Sequence, residues 1–352
     1  MRILVAGGGT SGLATAVALG SRGHHVLVLE RRPVFTENGM GVRLTPPAFR
    51  LLDRLGVGAA VRRRSLAIGE IRIMDGSTGE RVATVPLPGR HGGTPHAPHA
   101  TAHRLDVYEP LLDACWQLDV VRLRADSGVV GYTERGESVV AALVGGRSVT
   151  GDALILTDSA RSAARDDTSW TGGAPEERVA VYRTVVPMEL VANRWQDSAA
   201  ISWVGAQWHV SHYPLPDSRY LSLSATRHRH TGGDLTGAHL DLGHVLAAFP
   251  DIGYAARDVL TMGRQWRAWT VPGRRTASAR ARGRVALVGE TAEPALPVEV
   301  SGVHQALEDA DGLGRSWDAS DGDVRRWLAD YATRRSGERF PDAHTGCGAG
   351  GR

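Results

Sequence analysis

MRILVAGGGTSGLATAVALGSRGHHVLVLERR, residues 1–32, decides the fold of this 352-residue chain. Residues 3–6 are apolar and predict a buried strand, and residues 25–29 predict a second strand of the same kind. Between them, residues 13–19 are rich in alanine and leucine and predict a helix. A strand, a helix and a second strand in so short a segment indicate a βαβ unit, which belongs to a parallel sheet.

The turn between the first strand and the helix carries the glycine pattern of a dinucleotide site. Gly7 permits a tight turn, Gly9 lets the backbone approach a pyrophosphate, and Gly12 lets the helix pack close to the sheet. The helix N-terminus adds free amide groups for the anion. Glu30 ends the second strand, where a carboxylate accepts hydrogen bonds from an adenosine ribose. We therefore predict that an ADP-containing dinucleotide binds to these residues and to Ser11.

The composition is that of an ordinary globular protein, with 42% hydrophobic and 22% charged residues. The net charge is only +3, and the 41 basic residues, all arginine, are spread along the chain. We assign the densest run, residues 62–64, to a solvated helix face. We therefore expect no nucleic-acid partner.

The remaining compositional features favour a cytoplasmic protein. Cys115 and Cys347 lie far apart in the sequence and do not form a disulfide framework. The chain starts directly with a strand and holds no apolar stretch of about 20 residues, so we expect no signal peptide and no membrane association. The histidines within residues 91–103 are spaced irregularly, and we expect no metal site there. We expect a monomer or a homodimer.

Four later segments resemble the FAD-dependent aromatic monooxygenases of the para-hydroxybenzoate hydroxylase fold, in particular their salicylate-hydroxylase-like branch. The resemblance extends over about residues 1–339. The segments are GMGVRLTPPAFRLLDRLGVG (residues 39–58), GDALILTDSARSAAR (151–165), GAQWHVSHYPLPDSRYLSLSA (205–225) and GRVALVGETAEPALPVEVSG (283–302). The resemblance implies FAD as the dinucleotide and NADPH or NADH as its transient reductant.

The resemblance also assigns site residues outside the first turn. Glu290 takes the place of an aspartate that hydrogen-bonds the ribityl hydroxyls of FAD, Arg104 heads a helix that contacts the flavin chain, and Gly302 opens a helix whose dipole favours the anionic reduced flavin. Pro297 takes the place of a proline beside the reactive edge of the flavin, and we count it with the catalytic residues. The other cofactor-contacting positions are Arg31, Arg43, Val129 and Asp158.

Several positions depart from the family pattern. Aspartate is replaced by Glu290, the histidine of that turn by Glu293, and a glycine by Ser159, and the usual GQG becomes residues 300–302, Val-Ser-Gly. These changes leave three hypotheses open. One is an active oxygenase with an altered pocket, and another is a cyclase or isomerase that keeps the scaffold without redox chemistry, with FAD structural or absent. A binding protein without chemistry is a third.

Residues 177–262 change to alternating apolar and polar positions, which predict antiparallel strands with one buried face. By this alternation His209, Ser211 and Tyr213 share one face, which we predict contacts substrate, with His209 and Tyr213 as catalytic candidates. Four tryptophans in and just after this region form either an aromatic pocket or the core. They are Trp203, Trp208, Trp266 and Trp269.

The fold predicted from these patterns is α/β: a Rossmann-like, GR2-type FAD-binding domain with an inserted, mostly antiparallel substrate-binding sheet domain. We place the FAD-binding domain in residues 1–70, 100–165 and 281–340 and the substrate domain in 71–99 and 166–280. We expect residues 341–352 to form a flexible tail.

The function that the resemblance implies is monooxygenation. One oxygen atom of O2 would be inserted, by hydroxylation or epoxidation through a flavin C4a-hydroperoxide, into an aromatic or polyketide-like small molecule. An arginine-only composition rich in alanine and glycine is associated with bacteria in which such enzymes serve specialised metabolism.

Overall fold

A computed structural model describes most of the chain. The described residues are 1–37, 40–87, 97–157, 170, 178–196, 199–272, 279–289, 292 and 302–337. Three predicted site residues, Asp158, Glu290 and Pro297, lie outside them, as do the altered positions 159, 293, 300 and 301.

The described residues contain twenty strands. They are β1 (Arg2–Ala6), β2 (His25–Leu29), β3 (Gly41–Leu44), β4 (Leu66–Ala67), β5 (Glu70–Asp75), β6 (Arg81–Pro86), β7 (Ala100–His103), β8 (Val121–Arg124), β9 (Val129–Arg135), β10 (Ser138–Leu143), β11 (Ser148–Gly151), β12 (Ala153–Leu156), β13 (Arg178–Pro187), β14 (Ala200–Val204), β15 (Trp208–Pro214), β16 (Tyr220–Arg227), β17 (Ala238–Leu240), β18 (Trp266–Pro272), β19 (Ala281–Arg282) and β20 (Val285–Leu287).

The same residues contain eight α-helices and three short 3-10 turns. The helices are α1 (Thr10–Gly20), α2 (Pro46–Arg54), α3 (Gly58–Arg63), α4 (Arg104–Gln117), α5 (Leu242–Ala248), α6 (Tyr254–Thr261), α7 (Gly302–Trp317) and α8 (Val324–Gly337). The turns span Met188–Leu190, Asn193–Trp195 and Pro216–Ser218. In the described part of the chain, none of the helices is both long and apolar enough to cross a membrane.

A six-stranded sheet holds the segment that decides the fold. Its order is β19-β20-β12-β1-β2-β8, and all neighbours are parallel except β19 and β20. In β1, Ile3 and Val5 pack with the helices on one face, while Leu4 packs with the small antiparallel sheet β9–β11 on the other. All three side chains are fully buried, because the central strand of a parallel sheet is covered on both faces. This confirms the predicted α/β fold.

An eight-stranded sheet forms the second part, in the order β17-β18-β13-β16-β15-β14-β5-β6. Its neighbours are antiparallel, as predicted, except for the parallel pair β14 and β5. Strands from residues 70–86 and 178–272 thus share one sheet, although about ninety residues of chain separate the two segments.

The two faces of this sheet differ in character. On one face, Trp208 and Val210 of β15 pack against Phe249 and Val259, which belong to the segments of α5 and α6. Trp203 and Trp266 join the same core and are 0% exposed. The structure therefore favours the core alternative for these three tryptophans, which are buried together in one hydrophobic cluster.

The opposite face of the eight-stranded sheet meets the small sheet β3-β7-β4. The hydroxyl of Thr101 in β7 donates to the carbonyl oxygen of Pro214 at 2.7 Å. A Cβ built on Gly41 in β3 would lie 2.4 Å from Oγ of Ser222. Gly41 therefore allows a contact between the two parts of the molecule that a larger residue would prevent.

Candidate cofactor and substrate site

The glycine turn after β1 has the geometry that a pyrophosphate needs. Gly7 has φ +113° and donates its amide to the carbonyl oxygen of Leu29 at 2.9 Å, which ties the turn to β2. A Cβ on Gly12 would lie 1.8 Å from the carbonyl oxygen of Gly7, so only glycine lets α1 pack this closely. A Cβ on Gly9 would meet no heavy atom of the described residues within 4 Å, apart from its chain neighbours and local helix backbone. The turn is thus open at Gly9 and closed at Gly12.

Glu30 is a fixed, buried carboxylate at the end of β2. It is 7% exposed, and it accepts the amide of Gly8 at 2.6 Å and the amide of Arg32 at 3.0 Å. Tyr108 of α4 donates its hydroxyl to the carbonyl oxygen of Gly8 at 3.0 Å. Burial, and then the negative charge of Glu30, raise the pKa of Tyr108, so the phenol stays a donor. Tyr108 is a contact that sequence reasoning missed.

Glu37 is a second carboxylate at this turn that the sequence analysis did not single out. Its Oε2 atom accepts from the hydroxyl of Thr10, the first residue of α1, at 3.4 Å. The same atom accepts from the guanidinium of Arg104 at 3.2 Å. Arg104 is the first residue of α4, as predicted, and Glu37 holds its guanidinium near the N-terminus of α1. The sequence contained only one indication of this role, namely that Glu37 is an acid two residues before the segment at residues 39–58.

Arg43 and Arg104 are brought to the same small sheet. Arg43 lies in β3 opposite Thr101 of β7, and Arg104 follows directly after β7. Burial first and the Arg43 cation second lower the pKa of His99. This electrostatic effect indicates that Arg43 lies close to that histidine. Both arginines are therefore near the end of the chain segment that leads into α4.

Val129 and Arg31 lie beside Glu30. The amide of Ser127 donates to the carbonyl oxygen of Glu30 at 2.8 Å, and a Cβ on Gly128 would lie 2.9 Å from Cβ of Arg31. This packing brings the start of β9, at Val129, to the carboxyl end of β2. The position is where the adenosine end of a dinucleotide would lie, since the ribose site is at that strand end.

The carboxyl ends of β12 and β20 face the same turn. Thr157, which follows β12, donates its hydroxyl to the carbonyl oxygen of Ala6 at 2.9 Å. Gly289, which follows β20, is so close to α1 that a Cβ there would lie 2.5 Å from Oγ of Ser11. Gly302 is the first residue of α7. Glu30, Ser11 and Arg104, three of the predicted cofactor residues, thus lie beside or near one turn, although they come from distant parts of the chain.

The predicted substrate-contacting residues lie on the sheet face that meets β3. His209, Ser211 and Tyr213 are each 8% exposed. The register places them opposite Thr226, Ser224 and Ser222 of β16, respectively. Ser222 is the residue that contacts Gly41, so this row of polar side chains borders the cofactor-binding part.

A third strand extends the polar face. Arg183 of β13 lies opposite Ser224, and therefore in the same row as Ser211. It is half-buried. Trp269 of β18 lies opposite Val181 of β13, in the row that contains His209, and it is also half-buried. Trp269 is thus the one of the four predicted tryptophans that this face carries.

The residues present fit FAD. The turn is open at Gly9, where a pyrophosphate must approach, and the α1 N-terminus supplies positive charge, with Arg104 nearby through Glu37. A buried carboxylate, Glu30, stands where the ribose hydroxyls need an acceptor. The fold and this site together define a dinucleotide-binding protein with a Rossmann-like domain.

Comparison with known proteins agrees with this class. A family described as "FAD binding domain" matches residues 1–335. The 3-hydroxybenzoate 6-hydroxylase of Klebsiella oxytoca is 32% identical over 338 residues, which cover 95% of this chain and 84% of that protein. The 3-amino-4-hydroxybenzoate 2-monooxygenase of Streptomyces cremeus is 30% identical over 342 residues, with 95% and 83% covered.

A solved structure shares the fold. The 2,6-dihydroxypyridine-3-hydroxylase from Arthrobacter nicotinovorans superposes with a TM-score of 0.77 at 22% identity, covering 95% of this chain and 88% of that one.

The family match and the sequence relatives show that the chain belongs to the FAD-binding family of aromatic monooxygenases, and it is a flavoprotein monooxygenase that uses FAD. The predicted family, enzyme class and cofactor are confirmed.

Proposed function

We propose that this enzyme hydroxylates the ring of a phenolic acid of the hydroxybenzoate type. The observation that carries the proposal is the polar row His209, Ser211 and Tyr213 on the face that borders the cofactor-binding part. Two similar proteins, a 3-hydroxybenzoate 6-hydroxylase and a 3-amino-4-hydroxybenzoate 2-monooxygenase, bear the names of enzymes that act on such acids. Their names support this substrate class over a polyketide-like one.

The spacing along β15 supports a substrate with polar groups at both ends. His209 and Tyr213 are four residues apart in one strand, so their Cα atoms are separated by about 13 Å. At that distance the two side chains contact different ends of an aromatic ring rather than the same substituent. We propose that His209 takes the phenolic proton at a ring nitrogen, while the Tyr213 hydroxyl hydrogen-bonds a group at the other end of the ring.

Arg183 supports an acidic substituent. Its strand places Arg183 in the row of Ser211, which lies between the rows of His209 and Tyr213. A guanidinium binds a carboxylate through two parallel hydrogen bonds. The chemistry that FAD supplies when bound is the activation of O2 after reduction by NADH or NADPH. The protein's own part is to orient the ring, to hold its charge and to exclude water through the buried sheet face.

The test is substrate-dependent oxygen consumption by the purified, FAD-loaded protein. We would compare hydroxybenzoates with their methyl esters and methyl ethers, and include a polyketide-like phenol in the panel. The expected result is coupled use of NAD(P)H and O2, with one 18O atom from 18O2 in the product, for the free phenolic acids. Equal rates with the esters would contradict an acidic substrate. Turnover of any substrate in the absence of O2 would instead favour the non-redox alternative.

A further inference from the structure

Gly289 has an unusual backbone requirement. The amide of Val288 still donates to the carbonyl oxygen of Leu156 at 3.0 Å, as in the parallel ladder. Gly289 then turns away with φ +67°, in the left-handed region. Since the ladder ends there, the Gly289 amide is a buried donor that must find an acceptor outside the sheet.

Asp309 and Gln305 of α7 supply side-chain partners for Gly289, whose carbonyl oxygen also accepts the amide of Ala292 at 3.0 Å. The Oδ2 atom of Asp309 accepts the Gly289 amide at 2.7 Å, and the Gln305 side chain donates to the Gly289 carbonyl oxygen at 3.2 Å. The two side chains are four residues apart and therefore lie on one face of the helix. One face of α7 thus holds both the N–H and the C=O of a single residue.

The other side of Gly289 is occupied by α1. A Cβ at this position would lie 2.5 Å from Oγ of Ser11, in the first turn of the pyrophosphate helix. Gly289 is therefore packed between the helix that faces the pyrophosphate and the helix that begins at Gly302. The hydrogen bonds to α7 therefore hold a turn that also contacts α1.

Asp309 is itself held by two arginines. It is 0% exposed, and its Oδ1 atom accepts from Nε of Arg335 in α8 at 2.6 Å and lies 3.5 Å from Nη1 of Arg280. Arg335 also donates to Glu308 at 3.1 Å. Buried ion pairs add little net stability, because desolvation offsets their attraction, so orientation of a neighbouring group is the better physical reason for such an arrangement.

We infer that Asp309 is a positioning residue for FAD: it fixes the Gly289 turn, and Arg280 and Arg335 in turn fix Asp309. Residue 290, which follows this turn, is the position that family resemblance gives to the acceptor of the ribityl hydroxyls. The C-terminal helix α8 is thereby coupled to the cofactor site through Arg335. The inference rests on FAD binding alone and is independent of the substrate proposed above.

The first test compares Asp309→Asn with Asp311→Asn in the full-length apoprotein. Gly289 and Arg335 donate to different oxygens of Asp309, and asparagine replaces one of these oxygens by an NH2 group that cannot accept either bond. Asp311, in contrast, pairs with Arg54 near the surface at 2.8 Å. We expect the Kd for FAD, from flavin fluorescence titration, to rise by about tenfold or more in Asp309→Asn and to stay within about twofold in Asp311→Asn. The visible circular dichroism of bound FAD is expected to change only in Asp309→Asn.

A second set of variants keeps the inference testable if Asp309→Asn does not fold. Gln305→Leu removes the side-chain bond to the Gly289 carbonyl oxygen, which keeps the Ala292 amide at 3.0 Å, and it leaves no buried charge. Arg335→Met removes one of the two cations that hold Asp309, with the exposed neighbour Arg334→Met as its control. We expect Gln305→Leu and Arg335→Met to raise the Kd for FAD several-fold, and the control to leave it unchanged.

A purely structural role gives a different result. In that case the apoprotein variants melt at lower temperature, but the folded fraction binds FAD with wild-type affinity and an unchanged visible circular dichroism spectrum. That outcome for Gln305→Leu and Arg335→Met overturns the inference.

Discussion

The carboxylate of Glu30 accepts the amide of Gly8 at 2.6 Å, which joins the end of β2 to the glycine turn after β1. A second bond, from the Arg32 amide at 3.0 Å, occupies the other oxygen of the carboxylate. The two bonds fix the plane of the carboxylate before any ligand arrives, so little side-chain freedom is lost when a ribose binds. The acid that follows β2 therefore shapes the glycine turn as well as the predicted ribose site.

Replacement of Glu30 by alanine is expected to weaken FAD binding strongly. A hydrogen bond to a charged group contributes about 1.5–3 kcal/mol, so the Kd for FAD should rise by roughly ten- to a hundredfold. Fluorescence titration of the apoprotein measures it, and Glu137→Ala, at an exposed position, serves as the control. An unchanged Kd in Glu30→Ala would remove this residue from the ribose site.

Changing Gly12 to alanine is expected to lower the stability of the apoprotein, whereas changing Gly9 to alanine is expected to lower the affinity for FAD. The new Cβ at Gly12 would lie 1.8 Å from the Gly7 carbonyl oxygen, so Gly12→Ala should destabilise the apoprotein by about 1–3 kcal/mol or more. At Gly9 the protein leaves room and the backbone has φ −77°, so Gly9→Ala should keep the apoprotein's stability. We expect Gly9→Ala to weaken FAD binding, because the methyl group occupies the pyrophosphate approach. Thermal melts of the apoproteins, together with FAD titrations, separate the two effects; a destabilised Gly9→Ala apoprotein would contradict the open turn.

His209 and Tyr213 are expected to affect different kinetic constants. If His209 takes the phenolic proton, His209→Gln should lower kcat by about a hundredfold or more and change its pH profile. Tyr213→Phe should mainly raise KM, by roughly two- to tenfold, because it removes one neutral hydrogen bond.

Initial-rate kinetics across pH measure both effects on the FAD-loaded enzyme, with the exposed His239→Gln as the control. A pH profile of His209→Gln that follows the wild type would argue against His209 as the base.

His212 is expected to make the protein sensitive to acid. Burial lowers the pKa of this fully buried histidine from 6.5 to about 3, so the folded protein keeps it neutral while the unfolded chain takes up a proton below pH 6.5. The unfolded state then binds more protons, so stability decreases as the pH falls from 6.5 towards 3, by at most about 1.4 kcal/mol per pH unit.

The measurement is urea unfolding of the apoprotein at two pH values. Between pH 7 and pH 5 the wild type should lose about 2 kcal/mol more stability than His212→Leu, which has no proton to gain. The exposed His239→Gln is expected to behave like the wild type. An equal loss in wild type and His212→Leu would mean that His212 is accessible to protons in the folded state.

Much of the cofactor site was predictable because the requirement is local. Gly7, Gly9 and Gly12 are dictated by the backbone of one turn, and Glu30 follows the next strand at the spacing of a βαβ unit. The alternation in β15 likewise separated His209 and Tyr213 from the core residues on the other face, since a strand has a period of two. Their roles in catalysis remain predictions.

Asp309 shows why other residues escaped prediction. It lies on the buried face of α7, between Ala306 and Leu313, and an acid among apolar positions was the only signal. Its partners, Gly289 and Arg335, are 20 and 26 residues away, and a sequence pattern does not specify which buried acid meets which turn. Glu37 and Tyr108 were missed for the same reason, because each acts through a contact formed only in the folded chain.

The sequence by itself determined the parallel βαβ unit, the open turn for a dinucleotide and the alternating strands of the second sheet, because these follow from the backbone needs of short segments. Only the tertiary structure decided which side chains converge on that turn and which sheet face carries the tryptophan core. It joined β5 in parallel to β14 and placed α7 behind Gly289. Such pairings depend on packing between distant segments, and that packing is settled only when the whole chain buries its apolar faces together.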